Sequence, residues 1–395
     1  MTSEELKYLK SEAGQEAYAK HFSDTDKQLD LLILKNQTTQ PYFGALVSLI
    51  KLRRLAKAKF SQSEQMFFTS LSLEQSTGET IARYIAQRFQ PEWQVADLTC
   101  GLGGNTIFLA ERVSHVMAID LEAEKIICAQ ENALAYDVAT KINFIVGDAF
   151  LNIDKKADAF FLDPARDRAG MTKTRSFLNS RPNLLDILPQ LFTVTHNVAV
   201  KISPAFAYEE LKLLPEVPEV EIISEDNNCK VAMLWFGSFK TASRRATCFK
   251  KNSLFSLTDK AGAAAIVSPL KKYLYEPDKA ISKAHLIDEV ALKFSLAKID
   301  YDLSFLTGDQ LLVESESNIF RKFIIITSGS FSLKSFQIVL KNYQIDQAEI
   351  VAKHFKMTAD ELRKRLKIKE GGSIVIVLTT LDNQKKVFIL AKKVD

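Results

Sequence analysis

Asp97-Leu98-Thr99-Cys100-Gly101-Leu102-Gly103-Gly104-Asn105-Thr106 decides how the chain is read. It follows a short apolar run, Val95-Ala96-Asp97-Leu98, and opens a helical pattern over Asn105–Arg112. A strand that turns through glycines into a helix lets the backbone approach a ligand and leaves N–H groups free at the helix start. Downstream, strands alternate with helical patterns. A strand is expected over His115–Ile119, a helix over Ala123–Tyr136 and strands over Ile142–Val146 and Ala157–Leu162. Pro182–Leu191 reads as a helix, Asn197–Ile202 as a strand and Tyr208–Leu214 as a helix. Val220–Ser224 and Lys230–Phe236 close the series as an antiparallel hairpin. The alternation predicts βαβ units and a parallel sheet covered on both faces.

Acidic residues fall at the ends of four predicted strands. Asp97 ends the first and Asp120 the second; Gly147-Asp148-Ala149 follows the third and Asp163-Pro164-Ala165-Arg166 the fourth. Open α/β sheets bind ligands at the carboxyl ends of their strands. A carboxylate at Asp120 can accept both hydroxyls of a ribose, and Asp148 can reach an adenine amino group. The dinucleotide fingerprint would need a third glycine where Thr106 stands, which disfavours a nicotinamide dinucleotide. The sulfonium and amino-acid part of S-adenosylmethionine suit polar backbone with an acidic neighbour such as Asp97.

With those residues in view, the chain resembles the class I S-adenosylmethionine-dependent methyltransferases. Asp97–Thr106, Asp120, Asn132-Ala133 and Gly147-Asp148 are similar to the catalytic domain of trimethylguanosine synthases over roughly residues 70–165. Leu73-Glu74-Gln75-Ser76-Thr77, Asp163-Pro164-Ala165-Arg166 and Lys364-Arg365-Leu366-Lys367 extend the likeness. With them, nearly the whole chain resembles a family of bacterial candidate RNA methyltransferases. The resemblance implies an α/β fold, with a Rossmann-like class I methyltransferase sheet, an N-terminal helical region and two small C-terminal α+β domains. The expected boundaries are 1–60 for the helical region, 61–237 for the methyltransferase domain, 238–315 for a ferredoxin-like domain and 316–395 for a THUMP-like domain. Asp97, Thr99, Cys100, Gly101, Gly103, Asn105, Asp120, Leu121, Asp148 and Ala149 become the candidate cofactor-binding residues, with S-adenosylmethionine as cofactor. Asp163, Pro164 and Arg166 are the catalytic candidates. Structured RNA, tRNA or rRNA, is the implied partner.

One motif departs from the pattern. Enzymes of this group that methylate amino nitrogens carry a second proline and an aromatic ring after the acid, where this chain has Ala165 and Arg166. Without the tryptophan of trimethylguanosine synthases, cap hypermethylation is disfavoured. Arg166 could stack on a base or hold a phosphate. A nitrogen nucleophile sheds its proton late, and Asp163 is the nearest acceptor. Methylation of a pyrimidine carbon would need a cysteine nucleophile. None follows Asp163 before Cys229, and Cys100 reads as a small packing residue. The departure leaves two other classes open: a non-catalytic RNA-binding scaffold with this fold, and a methyltransferase acting on protein or a small molecule.

Composition sets the outer limits. Of 395 residues, 47% are hydrophobic and 25% charged, which excludes a disordered or low-complexity chain. The net charge of +4 is too small to mark a nucleic-acid binder by itself. Clusters carry more information. Lys51, Arg53, Arg54, Lys57 and Lys59 lie on a helical pattern and read either as a solvated face or as a phosphate-facing arm. Lys353, Lys356, Arg363, Lys364, Arg365, Lys367 and Lys369, set against Asp360 and Glu361, read either as a solvated helix or as a phosphate-binding face, and the THUMP-like resemblance slightly favours the second. Four separated cysteines and five scattered histidines have no ligand spacing, so no metal is expected. No apolar run reaches 18 residues and the N-terminus is polar, so no membrane is expected and a cytoplasmic location is.

Overall fold

The structure, a computed structural model, describes residues 2–153, 155–166, 176–251, 253–313, 315–381 and 384–394. Two compact units emerge: residues 1–219 with 231–241, and residues 220–230 with 242–395.

Helices open the first unit: α1 (Ser3–Lys10), α2 (Glu12–His21), α3 (Asp26–Leu34), α4 (Phe43–Ala56), α5 (Ser70–Gln75) and α6 (Glu79–Ala86). Side-chain caps start several of them, as where Thr2 and Glu5, or Thr25 and Gln28, satisfy each other's exposed N–H groups. The sheet region then runs β1 (Gln94–Asp97), α7 (Thr106–Arg112), β2 (His115–Asp120), α8 (Ala123–Ala135), β3 (Ile142–Val146) and β4 (Ala159–Leu162). A two-residue strand pair follows, β5 (Ala165–Arg166) with β6 (Ser180–Arg181), then α9 (Leu184–Phe192) and β7 (Val198–Ile202). Next along the chain come β8 (Glu219–Glu225) and β9 (Asn228–Trp235). In this unit the strand order is β9-β7-β4-β1-β2-β3. All neighbours are parallel except β9, which runs antiparallel to β7. Every residue of β4 and β7 is buried, which explains the unbroken apolar sequence of β4 and, Lys201 apart, that of β7. The expected helix over Tyr208–Leu214 is instead a short 3-10 segment, Tyr208–Leu213, stopped by Pro215 and Pro218.

The basic stretch on α4 and beyond is tied to partners within the helical layer. Arg53 is 3% exposed, donates from Nε to the Met66 carbonyl at 2.8 Å and lies over the rings of Tyr18 and Phe67. Arg54 holds Asp26 and the carbonyls of Phe22 and Asp24, Lys51 pairs with Asp30, and Lys57 with Glu64. Lys59 donates to the carbonyls of Leu73, Glu74 and Ser76. The helical pattern reads charge, but these charges tie the helical layer together, which neither sequence reading foresaw.

In the second unit β8 pairs in parallel with β10 (Arg244–Lys250), and β10 pairs antiparallel with β11 (Ser253–Thr258). A further sheet combines β12 (Tyr273–Pro277), β13 (Ala297–Lys298), β14 (Leu306–Gly308), β15 (Phe320–Ser330), β16 (Glu349–Lys353), β17 (Ile374–Thr380) and β18 (Lys386–Val394). Its order is β13-β14-β12-β15-β18-β17-β16. The helices are α10 (Lys279–Lys283), α11 (Ile287–Lys293), α12 (Leu333–Asn342) and α13 (Ala359–Leu366). Along β17, Ile376 and Leu378 pack with Phe336 and Leu362, while Val375 and Val377 pack with Leu274 and Phe305. Both faces of this sheet are therefore covered, as alternating side chains require. β12 pairs with β15, so one sheet runs across position 315. The expected terminal hairpin is β17 with β18; part of its turn, Asp382 and Asn383, lies outside the described residues.

Candidate active site

Parallel register brings the carboxyl ends of β1, β2, β3 and β4 to one rim. Asp97 closes β1 and is 1% exposed. Its carboxylate accepts the Thr106 hydroxyl at 2.6 Å and the Thr99 backbone N–H at 3.2 Å. Burial pushes its pKa up to about 7, against those two hydrogen bonds, and the nearby charges of Asp163 and Asp120 push the same way. Three carboxylates, those of Asp97, Asp120 and Asp163, therefore act on one another at this rim.

Asp120 closes β2. It accepts the Gly101 N–H on Oδ2 and the Glu122 N–H on Oδ1, each at 3.0 Å, with Lys125 at 3.7 Å. Burial works against the charge on Lys125, but Glu122 and Asp120 outweigh it and raise its pKa. The glycine bend between these two acids is stitched to both neighbours of β1. Leu98 donates to Phe161 on β4 and Cys100 to Ile119 on β2. Gly101 and Gly103 take φ of +55° and +83°, which side chains avoid. A Cβ at Gly101 would meet nothing within 4 Å, so the backbone faces open space there. Gly104 lies against Ser76, from the Leu73–Thr77 motif, with 3.7 Å between a built Cβ and the hydroxyl oxygen. Asn105 is buried, and its Oδ1 has no partner among the described residues.

Asn132 clasps the bend from below. Its Oδ1 accepts the Phe67 N–H at 2.7 Å, and its Nδ2 donates to the carbonyls of Phe67 and Leu102. Cys100 is buried and its thiol pKa is raised well above the ordinary value by burial first, then by Asp97 and Asp120. It stays protonated and packs. Of the remaining candidates, Leu121 is exposed, Ala149 is buried and Asp148 is half-buried with one oxygen taken by the Phe150 N–H. Asp163 leaves β4 with its own N–H donated to the Thr99 hydroxyl at 2.6 Å. Pro164 follows, half-buried, and Arg166 enters β5. Lys201 on β7 forms an ion pair with Oδ2 of Asp163.

Residues 93–174 match the family model described as RNA cap guanine-N2 methyltransferase, and residues 320–393 match the THUMP domain-like model. A protein of Mycobacterium tuberculosis, described as an uncharacterised S-adenosylmethionine-dependent methyltransferase, is 25% identical over 85% of this chain and 92% of its own length. An uncharacterised RNA methyltransferase of Bacillus cereus is 29% identical over 128 residues, 31% of this chain and 25% of the relative. A solved structure described as a candidate methyltransferase from Porphyromonas gingivalis superposes with a TM-score of 0.77. It covers 96% of this chain and 97% of its own at 22% identity. The chain has the fold and the relatives of an S-adenosylmethionine-dependent methyltransferase.

On this methyltransferase sheet the sequence reading overlooked Lys201. Its signal was present: a single charge inside Val198-Ala199-Val200-Lys201-Ile202, a strand expected to be buried. A lysine is almost never buried without a partner. Among the described residues no group of His, Cys, Asp and Glu is arranged to hold a metal, and no helix is long and apolar enough to cross a membrane.

Proposed function

We propose that the chain methylates a nitrogen of a base in structured RNA, with S-adenosylmethionine as donor. The observation that carries this reading is the acidic rim around the glycine bend, at the carboxyl ends of adjacent parallel strands. The residues suit the cofactor. A carboxylate offers about four lone-pair sites. Asp120 uses two on backbone N–H groups, which leaves acceptors for the two ribose hydroxyls. Open space above Gly101 and the unpartnered Asn105 oxygen leave polar room beside Asp97 for a cationic tail. Asp148 would accept the adenine amine, with Thr99, Cys100, Gly103, Leu121 and Ala149 shaping the walls. When bound, the sulfonium supplies an already activated methyl group, so transfer asks mainly for positioning and exclusion of water.

Asp163 then accepts the N–H of the target nitrogen and its proton as the bond to carbon forms. Pro164 fixes the backbone that follows, and an arginine at 166, whose side chain lies outside the described structure, has the chemistry to stack on a base or hold a phosphate. The THUMP-like match supports an RNA partner, read through shape and phosphates. So do the exposed side chains of Lys356, Lys364, Arg365, Lys367 and Lys369 around α13. The division at 60, 237 and 315, a tRNA or rRNA substrate and a cytoplasmic setting belong to the same reading.

The test is transfer of tritium from labelled S-adenosylmethionine into total RNA from cells lacking the protein. Incorporation by the wild type, lost in Asp163→Ala, is expected. The departure at Ala165-Arg166 favours one rival, an RNA-binding scaffold, which predicts no incorporation at all. Label in protein with none in RNA would assign the activity to another substrate class.

A further inference from the structure

Lys201 sits within β7, whose five residues are all buried, and its side chain is 11% exposed. The parallel register of β4 with β7 pairs Leu162 with Val200. One step on, Asp163 leaves β4 beside Lys201. The ammonium reaches Oδ2 of Asp163, whose side chain is 31% exposed, so the acid faces outward with the lysine behind it. Oδ1 of Asp163 has no partner among the described residues. Two further carboxylates lie near, Asp97 and Asp120: the buried Asp97 feels the charges of both Asp163 and Asp120. Replacing a buried ion pair by apolar residues is often neutral or stabilising, so stability alone does not explain a lysine here.

We infer that Lys201 is a positioning residue, which pins Oδ2 of Asp163 and thereby presents Oδ1 to the N–H of the target amino group. This inference rests on the proposed methyl transfer. The Thr99 hydroxyl fixes the backbone of Asp163 and Lys201 fixes its carboxylate, so the acceptor is oriented before substrate arrives. An ionised carboxylate accepts hydrogen bonds and donates none. A site built this way selects an amino nitrogen over a ring nitrogen that offers only a lone pair. As the nitrogen–methyl bond forms, the carbon–sulfur bond breaks and its electron pair leaves with sulfur as a neutral thioether. The nitrogen releases its proton to water by way of Oδ1.

The experiment uses the full chain, tritiated S-adenosylmethionine and total RNA from cells lacking the protein. Lys201→Met, Lys201→Arg, Asp163→Ala and the Asp163→Ala/Lys201→Met double variant are compared, with S-adenosylhomocysteine affinity measured for each. Lys201→Met should lower kcat about 100-fold, the scale of a misplaced reacting group, while S-adenosylhomocysteine affinity stays within about twofold. Lys201→Arg should recover about tenfold of that loss by restoring the charge. The double variant should lose no more than Asp163→Ala, because the lysine acts through the acid. Should Lys201→Met also lose S-adenosylhomocysteine binding, Lys201→Gln takes its place with the same expectation. Wild-type rate in the uncharged variant, no recovery with arginine, or losses that multiply in the double variant would each overturn the inference. A wild type that labels no RNA removes the reading beneath it, and the inference with it.

Discussion

Asp97 shows how burial and local hydrogen bonds set the charge of one residue at the rim. Its two oxygens serve Thr106 and Thr99, and burial lifts its pKa to about 7. Below the ordinary value of 3.8 the acid is protonated both folded and unfolded, and the linkage is flat. Between 3.8 and about 7 the unfolded chain ionises while the folded one holds its proton, so stability falls as pH rises. Above about 7 the linkage is flat again. Asp97→Asn mimics the protonated form and escapes this loss. Thermal unfolding of the two proteins from pH 4 to 8 should show the variant gaining on the wild type up to neutrality, by a few kcal/mol at most, and then holding level. A constant difference across that range would show that Asp97 ionises normally.

At the scale of elements, the glycine bend depends on what clamps it. Asn132 projects from α8 and joins the bend at Leu102 to the segment at Phe67 through three buried hydrogen bonds. Asn132→Leu fills the space but strands the Phe67 N–H and two carbonyls. A buried unsatisfied group costs about 1–3 kcal/mol, so a total loss of about 3 kcal/mol is expected. Calorimetry should then place the first transition about 6–12 °C lower; an unchanged midpoint would mean that water replaces the clasp. Asn132-Ala133 was visible in the sequence as part of a resemblance, but not its partners, because Phe67 lies 65 residues away. The strands β1 to β4 and β7 were legible as short, mostly apolar runs bounded by turn signals, although only β4 and β7 are buried along their whole length. The acids were legible for the same reason, each ending such a run. Lys201 was not singled out: a charge inside an apolar strand signals a partner, but only the neighbouring strand's register shows which one.

At the scale of the whole molecule, local periodicity marks strands but not their distant partners. β12 comes before position 315 and β15 after it, yet the two are adjacent strands, a long-range pairing that local periodicity does not encode. Charge clusters were equally ambiguous in one dimension. The stretch from Lys51 to Lys59 is consumed by internal partners, whereas Lys364, Arg365, Lys367 and Lys369 stay exposed. The difference lies in available acceptors: α4 packs beside Asp26 and Asp30, while the basic run at α13 has only Asp360, Glu361 and Glu370 close by in sequence. Everything proposed for the molecule depends on its acidic rim gripping an adenosyl ligand. Isothermal titration with S-adenosylhomocysteine measures that grip directly. The wild type should bind, and Asp120→Ala should weaken binding by about 1.5–3 kcal/mol, the worth of hydrogen bonds to a charged group. Absence of heat from the wild type, or equal affinity in the variant, would contradict the account.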